Sequence, residues 1–192
     1  MSSGLPTVKL RALEPEDLEM LYTIENTVSE WNVGATNVPY SRYVLRDYIA
    51  NTASDIYADR QLRLMVDNGR GETVGIADLV SFDPRHGRAE IGIVILDRYR
   101  RSGYALAALT QLVSYARSIL HLHQLYAIVP VSNTACLRLF DKLAFDESCR
   151  LREWLHGEHG YEDAVMLCKI LRGQFFCKRE QSQTCLSYAE CS

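Results

Sequence analysis

A strand, helix, strand unit in the middle of the chain sets the strongest limit on its fold. Residues 89–96 are mostly apolar and read as a strand, and from Gly103 the apolar residues recur with the helical period as far as Ile119. A second short apolar strand at 125–129 is stopped by Pro130. A unit of this kind favours a mixed sheet, because the crossover helix joins strands of one sheet.

The first fifty residues predict one strand and two helices. Residues 7–13 alternate with the period of a strand, and Pro15 followed by two acids opens a helical pattern that reaches Ile24. Residues 31–40 contain glycine, proline and asparagine and read as a loop, after which Ser41 caps a second helix.

The remaining segments complete an α+β pattern, with a mixed central sheet flanked by about four helices. The other predicted elements are strands at 62–66 and 73–82, which form an antiparallel meander with 89–96, a helix at 134–142, and strands at 147–155 and 164–171. Periodicity is lost from Gly173 onward. We therefore expect one domain over residues 1–172 and a tail over residues 173–192.

The composition excludes several classes of protein. With 47% hydrophobic and 23% charged residues, the 192-residue chain is typical of a globular protein, and its net charge of −3 lacks the basic excess that nucleic-acid binding demands. No apolar run approaches a membrane span or the core of a secretion signal. All six cysteines follow residue 135 without a C-x-x-C pair. We expect reduced thiols in the cytoplasm, with neither nucleic acid nor membrane as a partner.

The histidines do not predict a metal site. His121 and His123 alternate as residues on the edge of a strand do, and His156 and His159 lie in a loop with glycines. Neither pair has a cysteine or a carboxylate at ligand spacing, so we expect no metal.

The turn that begins the central helix has the composition of an anion site. It reads Arg100-Arg101-Ser102-Gly103-Tyr104-Ala105. The first N–H groups of a helix have no partner within it, and together with the helix dipole they bind a pyrophosphate. Small residues at 103 and 105 let the anion approach the backbone, and the arginines add positive charge. The pattern is neither a Walker loop nor G-x-G-x-x-G, and an ordinary glycine at a strand-to-helix turn also explains it.

This turn and the order of elements resemble the GNAT superfamily of acyl-CoA-dependent N-acetyltransferases, whose pyrophosphate loop has the pattern R/Q-x-x-G-x-G/A. The resemblance covers roughly residues 7–171 and is strongest to bacterial spermidine or diamine N-acetyltransferases and to ribosomal-protein N-acetyltransferases. The segments that carry it, besides the turn, are 10–13 (LRAL), 88–91 (RAEI), 120–126 (LHLHQLY), 133–145 (NTACLRLFDKLAF) and 160–163 (GYED).

The resemblance implies the GNAT acyl-CoA N-acyltransferase fold, with acetyl-CoA as the acetyl donor. It assigns a stretch of strand backbone to the acetyl end, the turn to the pyrophosphate, and the start of the next helix to the pantetheine and thiol. The residues so assigned are Ile93, Val94, Ile95, Arg100, Arg101, Ser102, Gly103, Tyr104, Ala105, Leu106, Asn133 and Cys136. A strand N–H aimed at the thioester carbonyl stabilises the negative charge that builds there during attack.

The acceptor side needs a base, because a primary amine with a pKa near ~10.4 is mostly protonated at neutral pH. Glu90 matches the family's acceptor-site acid and is the candidate base, the alternative being a surface carboxylate paired with Arg88 or Arg85. Trp31, Tyr40 and the acidic first helix, which belongs to a run of six acids over residues 14–30, are candidates for lining the acceptor site. Otherwise the two aromatics belong to the core or a lid, and the acidic run is a solvated face.

The chain departs from the family at Phe140, which occupies the catalytic position where the polyamine enzymes have a tyrosine thought to protonate the leaving thiolate. A phenylalanine ring has no proton to give. Cys136 on the same helix face, or Tyr104 in the turn, would have to replace it, unless the thiolate leaves unassisted. The loop at 32–38 also lacks the neighbouring acids of the polyamine enzymes, so the resemblance does not extend to their regulatory polyamine site or its metal.

The expected function is direct transfer of an acetyl group from acetyl-CoA to an amine, with a polyamine or diamine such as spermidine as the first choice of acceptor. A cytoplasmic homo-oligomer is expected. Two alternatives share the cofactor site. One is a protein N-terminal acetyltransferase of the ribosomal type, and the other is a CoA-binding regulatory module that has lost catalysis.

Overall fold

The computed structural model describes residues 4–27, 39–53, 55–157 and 160–171. Among them, seven strands form a single sheet. The strands are β1 Val8–Ala12, β2 Leu62–Asn68, β3 Thr73–Asp83, β4 Arg88–Ile95, β5 Gln124–Pro130, β6 Asp146–Gly157 and β7 Gly160–Ile170. Their order across the sheet is β1-β2-β3-β4-β5-β7-β6, which makes the two strands of the central unit, β4 and β5, neighbours.

Five α-helices connect these strands within the described residues. They are α1 Leu18–Glu25, α2 Arg42–Asn51, α3 Ile56–Asp59, α4 Tyr104–Ser118 and α5 Thr134–Lys142. Single turns of 3-10 helix, Pro15–Asp17 and Asp97–Tyr99, precede α1 and follow β4. Side-chain oxygens of Ser41, Asp55 and Asn133 accept N–H bonds from the first turns of α2, α3 and α5. These caps satisfy donors that a helix leaves open, and they define where the three helices begin.

The pairing of β4 with β5 is parallel and short, whereas all the other pairs in the sheet are antiparallel. It ends with the pair Glu90 and Tyr126. Beyond that pair, β4 stays with β3 as far as Ile95, while β5 pairs with β7 as far as Pro130. A gap therefore opens between the two strands, and we call it the β4–β5 gap.

The sheet buries an apolar cluster on each of its faces. Met65 and Ile76 belong to a small core with α1 and α2, whereas the next residues along their strands, Val66 and Ala77, belong to a large core with α4 and α5. Because successive strand residues point to opposite faces, the two cores lie on opposite sides of the sheet. The residues that α4 buries in the large core are Ala107, Ala108, Leu109, Leu112 and Ala116.

The α+β class, the mixed sheet and the predicted order of elements are confirmed. The structure adds the single-turn helix α3 and lengthens the last hairpin, whose strands the sequence predicts at 147–155 and 164–171. The two glycines that suggest a loop there, Gly157 and Gly160, are instead paired with each other across the turn. Consequently β6 ends, and β7 begins, closer to the turn than the apolar pattern of the two strands indicates.

The prediction that His121 and His123 lie on a strand edge is wrong, because both precede the start of β5. His121 has a φ of 52°, and the His123 N–H donates to the Gly87 carbonyl at 2.7 Å, which fastens this segment to the turn before β4. The backbone N–H of His123 is thus bonded to a turn, and the two histidines lie outside the strand.

Three predictions fall partly or wholly on segments that lie outside the described residues. They concern the loop at 31–40, of which only 39–40 is described, the residue His159 and the tail from 173. The boundary between residues 1–172 and 173–192 therefore stays a prediction. Within the described ranges, no helix has the length and apolar character needed to cross a membrane.

Candidate active site

The wall of the β4–β5 gap is formed by the backbone of β4. The Leu96 N–H donates to the Val74 carbonyl at 2.9 Å, and antiparallel pairing alternates, so the even-numbered residues of β4 bond to β3. The Val94 carbonyl accordingly faces β3, where a Cβ built on Gly75 would lie 2.1 Å from it. The backbone groups of Ile93 and Ile95 face the gap. Of the three strand residues predicted to bind the acetyl end, Val94 thus turns its backbone away and packs its side chain in the small core.

Arg100 fastens the turn after β4 onto that strand. Its Nε donates to the Ile95 carbonyl at 3.0 Å, and its Nη1 lies 2.9 Å from Asp97 Oδ1. The neighbouring Arg101 is exposed and has a φ of 60°, while Ser102 Oγ donates to the Arg100 carbonyl at 3.3 Å. Arg100 therefore stabilises the turn through its contacts with Ile95 and Asp97. Arg101 presents its charge at the surface.

The start of α4 fits a pyrophosphate. Gly103 is the N-cap residue and supplies no side-chain cap, and the first helical bond runs from the Ala107 N–H to the Gly103 carbonyl at 3.0 Å. The N–H groups of Tyr104, Ala105 and Leu106 hence have no acceptor within the helix. The dipole of a 15-residue helix adds partial positive charge at the same place.

Gly103 also meets a structural requirement that the sequence does not reveal. Its φ is 85°, a conformation that side chains disfavour, and a Cβ at this position would lie 3.0 Å from Cδ of Pro6. The missing side chain therefore leaves room for the amino-terminal segment, in addition to the space that the sequence analysis assigns to an anion.

The helix α5 begins across the gap, at the end of β5. Asn133 Oδ1 accepts the Cys136 N–H at 3.1 Å, and burial raises the pKa of the Cys136 thiol to about 11. Phe140, one turn further on, is 2% exposed, and its ring packs edge to face on Phe145 with 4.9 Å between centroids. Phe140 is thus a residue of the large core.

Tyr104, the other candidate proton donor, faces a different part of the molecule. Its ring packs edge to face on Tyr99 with 5.9 Å between centroids. The two rings line a hollow of about 340 Å³ together with Pro6, Thr7 and the turn between β2 and β3. Tyr104 is therefore directed toward the amino-terminal segment. Cys136 lies in the first turn of α5, the helix that begins across the gap.

Glu90 lies at the closed end of the gap, on the sheet face that α1 and α2 cover. We call this side the acceptor face. Burial raises the pKa of the half-buried Glu90 carboxyl, and no hydrogen bond or ion pair to it occurs among the described residues. Arg88 lies 3.3 Å from Asp83 instead, so the alternative in which Arg88 neutralises Glu90 is not realised. The carboxylate is available to a positively charged group.

A second set of charges lies on the acceptor face, and of its members the sequence analysis includes only Glu25, in the acidic first helix. Arg63 Nη2 lies 2.9 Å from Asp78 Oδ2, its Nε donates to Asp78 Oδ1 at 3.1 Å, and its Nη1 pairs with Glu25. Asp78 is the register partner of Gly92, which lies between Glu90 and Val94 on β4. Because Gly92 has no side chain, the sheet surface is open between Asp78 and Glu90.

The aromatic residues predicted to line the acceptor site are only partly accounted for. Tyr40 packs against the small core, its N–H donates to Asn26 Oδ1 at 2.9 Å, and the Asn26 amide donates back to the Tyr40 carbonyl at 3.1 Å. Tyr40 therefore stands at the end of α1, on the acceptor face. Trp31 lies outside the described residues. No group of three or more potential metal ligands occurs within the described ranges.

Comparison with known proteins agrees with this geometry. The model of the acetyltransferase (GNAT) domain matches residues 7–146. The chain is 29% identical over 178 residues to spermidine N(1)-acetyltransferase of Escherichia coli, which covers 91% of each chain. It is 27% identical over 172 residues, 86% of this chain and 92% of the other, to a candidate ribosomal N-acetyltransferase of Bacillus subtilis. A dodecameric spermidine N-acetyltransferase of Vibrio cholerae superposes with a TM-score of 0.73 at 26% identity, covering 85% and 94% of the two chains.

Proposed function

The chain belongs to the GNAT acetyltransferase family, and we propose that it transfers the acetyl group of acetyl-CoA to a polyamine such as spermidine. Membership makes it an acetyl-CoA-dependent N-acetyltransferase. The choice of acceptor is supported by its likeness to the Escherichia coli enzyme, whose name specifies spermidine and which it matches over 91% of both chains.

The charge of the acceptor face carries the proposal. Glu25, Asp78 and Glu90 contribute three carboxylates against the one guanidinium of Arg63. The balance is a local charge of about −2 in a partly buried setting, where screening by water and salt is weak. Polyamines carry two or more ammonium groups along a flexible chain. One ammonium group at Asp78 and Glu25 would leave the reacting amine near Glu90.

The cofactor half of the site supplies backbone donors. Bound acetyl-CoA supplies a thioester whose carbonyl carbon is attacked by an amine. The N–H groups of Tyr104, Ala105 and Leu106, with the charge of Arg101, would hold its pyrophosphate. The N–H groups of Ile93 and Ile95 face the gap and would stabilise negative charge on the carbonyl oxygen.

Glu90 would act as the base. The carboxylate takes a proton from the bound ammonium group, so that the nitrogen lone pair becomes available for attack. Its raised pKa, caused by burial, makes it a stronger base than a surface glutamate. The nitrogen then forms the amide bond while the carbon–sulfur bond breaks.

The departing sulfur has no strong acid beside it in the described part of α5. The pKa of Cys136, about 11, lies well above the ~8.5 typical of an alkyl thiol such as that of CoA, so proton transfer from Cys136 is unfavourable. Phe140 carries no proton and belongs to the large core. The sulfur would therefore leave as a thiolate.

We also propose that the protein forms homo-oligomers in the cytoplasm. The Vibrio cholerae neighbour is dodecameric, and the outer hairpin here exposes Trp154 on the edge strand β6 and Tyr161 on its neighbour β7. Exposed apolar residues on an edge strand favour pairing with another chain. Cys136, Cys149 and Cys168 are free thiols, which suits a reducing compartment.

Acetyl transfer to a panel of acceptors tests the proposed function. The panel contains spermidine, spermine, shorter diamines, an aminoglycoside and peptides with free amino termini. We expect the highest kcat/KM with spermidine or spermine, and we expect Glu90→Gln to lower kcat by roughly 100-fold or more at unchanged CoA affinity. A preference for peptide termini would identify a ribosomal-type enzyme instead. CoA binding without turnover on any amine would identify a regulatory module.

A further inference from the structure

The acceptor face extends beyond the small core. Among the described residues, that core takes its strand residues from β2, β3 and β4 only. We call the remaining part of the face, formed by β5, β7 and β6, the open half. Ile128 of β5 and its register partner Met166 of β7 point to it, because their neighbours along each strand belong to the large core on the opposite face. Both side chains are half-buried and belong to neither core, so the open half is an apolar surface that adjoins the β4–β5 gap.

A row of register partners crosses the open half from one carboxylate to another. Glu90 of β4 pairs with Tyr126 of β5 at the closed end of the gap. Tyr126 pairs in turn with Cys168 of β7, and Cys168 pairs with Asp146 of β6. Register partners place their side chains on the same face of a sheet. Leu167, the neighbour of Cys168, belongs to the large core, so the whole row lies on the acceptor face.

The carboxylate at the far end of this row is available to a cation. Asp146 is exposed, and its side chain has no hydrogen bond or ion pair within the part of the chain that the structure describes. Lys169, the next residue after Cys168, donates instead to the Leu143 carbonyl at 2.7 Å. The open half thus offers an acid at each end and apolar side chains beside the path between them. A methylene chain with an ammonium group at each end has the complementary arrangement.

The half of the acceptor face that α1 and α2 cover fits a different spacing of charges. Asp78 lies one strand and two residues from Glu90, a Cα separation of about 8 Å. The register partner of Asp78 on its other side is Arg63, so a chain that runs past Asp78 meets a guanidinium. Three strand spacings of ~4.8 Å separate Glu90 from Asp146, which gives about 14 Å. The covered half therefore suits closely spaced ammonium groups, and the open half suits one distant ammonium group.

We propose that the open half binds long α,ω-diamines, and that Asp146 selects them by pairing with the distal ammonium group while the reacting amine lies at Glu90. The inference rests on the proposed function, in which an amine is acetylated beside Glu90, and it leaves that reaction unchanged. At the ~3.5 Å that three bonds of an extended chain span, the eleven bonds between the nitrogens of 1,10-diaminodecane cover about 13 Å. Its methylene groups would lie on Cys168 beside Ile128 and Met166, where contact removes apolar surface from water.

Steady-state kinetics of the full chain test the inference with 1,10-diaminodecane and with decylamine, which lacks the distal ammonium group. We expect Asp146→Asn to raise KM for the diamine about threefold, the size of one exposed charge contact. Asp146→Lys should raise it about tenfold, because repulsion replaces attraction, and KM for decylamine should not distinguish the proteins. Glu147→Gln is the matched control. Glu147 is also an exposed acid of β6, but as the register partner of Leu167 it lies on the opposite face.

An acceptor of reversed charge sharpens the test. In 11-aminoundecanoate a carboxylate replaces the distal ammonium group, so we expect its KM to be about tenfold lower with Asp146→Lys than with the wild type. Thermal unfolding with and without CoA shows that each variant is folded. The inference is overturned by an unchanged KM for the diamine in both Asp146 variants, by an equal rise in Glu147→Gln, or by a wild type that acetylates spermidine but not the diamine. A wild type that acetylates no amine at all contradicts the proposed function itself.

Discussion

The proposed cofactor half of the site and the proposed acceptor face are built in different ways. The cofactor half consists of the gap-facing backbone of β4, residues 100–106 and the start of α5. Its donors are main-chain N–H groups whose directions follow from a strand and a helix start. The acceptor face relies on the side chains of Glu25, Arg63, Asp78 and Glu90, which come from four different elements. Main-chain donors make a site that is defined locally, whereas charged side chains from separate elements make one that only the folded chain defines.

The two regions also differ in what stabilises them. The large core behind the cofactor half is almost entirely apolar. The small core under the acceptor face is extended by ion pairs, in which Arg11 joins Asp17 and Asp67, each at 2.6 Å. Apolar burial is insensitive to pH, but ion pairs are not. We therefore expect the acceptor face to be the region that responds to acid and to charge substitutions.

The largest effect should come from Gly103→Val, in the cofactor half. The change forces a φ of 85° on a branched residue and drives its Cβ into Pro6, so the first turn of α4 must shift. Loss of two charge-assisted hydrogen bonds predicts CoA binding weaker by roughly 100-fold or more, measured by calorimetry. Gly71→Val is the matched control, because Gly71 also has a positive φ, 78°, but nothing lies within 4 Å of its Cβ position. Unchanged CoA affinity in a folded Gly103→Val protein would remove this turn as the anion site.

Acid should loosen the acceptor side before the cofactor side. Burial opposes ionisation of Asp17, but hydrogen bonds from the Arg11 side chain and the Glu14 N–H outweigh it and lower the pKa of Asp17. A carboxyl whose pKa is lower in the folded state adds stability above its unfolded pKa, and this stability is lost as the pH falls through the folded pKa.

Hydrogen exchange at pH 7 and at about pH 3.5, just below the unfolded pKa of an aspartate, tests this order. We expect protection to fall first in β1 and α1 and last in α4. Asp17→Asn should cost about 2 kcal/mol at pH 7, the contribution of a charged hydrogen-bonded pair, and should flatten the acid dependence. Equal loss of protection in α4 and α1 at the acid pH would show that the two regions unfold as one unit.

Sequence reasoning works well where chemistry follows the chain and poorly where it does not. Residues 89–119 show a change of period and a glycine at a helix start, and these features are enough to predict β4 and α4, while the anion site at the turn between them stays a prediction. The backbone direction of Val94 could not be predicted, because it depends on the register with β3. The close approach of Pro6 to Gly103, a second reason for a glycine there, could not be predicted either, because it joins residues almost a hundred positions apart.

Arg63 and Asp78 of the acceptor face were missed for the same reason, although the acidic first helix that contains Glu25 was predicted to lie there. Arg63 and Asp78 each interrupt an otherwise apolar strand, which is the signal that could have marked them. A charged residue at a position that alternation assigns to a buried face requires a partner. The sequence does not say which partner, since Asp78 reaches Arg63 through the register of β2 with β3, and Glu25 reaches it only after α1 has packed on the sheet.

A substitution within that cluster should change acceptor affinity and not cofactor affinity. Asp78→Asn keeps a hydrogen-bond acceptor for Arg63 but removes one of the negative charges beside the gap. We expect KM for spermidine to rise by about 10-fold, which corresponds to one partly screened charge contact, while CoA affinity stays the same. Glu72→Gln, which removes an exposed carboxylate on the turn before β3, is the matched control. A rise of equal size in both variants would show that net charge, and not the acceptor face, governs the effect.

The smallest expected effect is that of a substitution which tests whether any side chain of the cofactor half takes part in the reaction. Phe140→Tyr adds a phenol one helical turn beyond Cys136, in a ring that now packs on Phe145. If protonation of the leaving sulfur limits turnover, the variant should be faster at pH 7 by a factor of about 3, and the gain should shrink near pH 9, where the ~8.5 pKa of a thiol favours the thiolate. Phe145→Tyr adds the same hydroxyl to the partner ring and controls for altered packing of the large core.

Equal rates for Phe140→Tyr and the wild type at both pH values would mean that the thiolate leaves without help. The division between a cofactor half that acts through its backbone and an acceptor face that acts through its side chains would then hold for every step of the reaction.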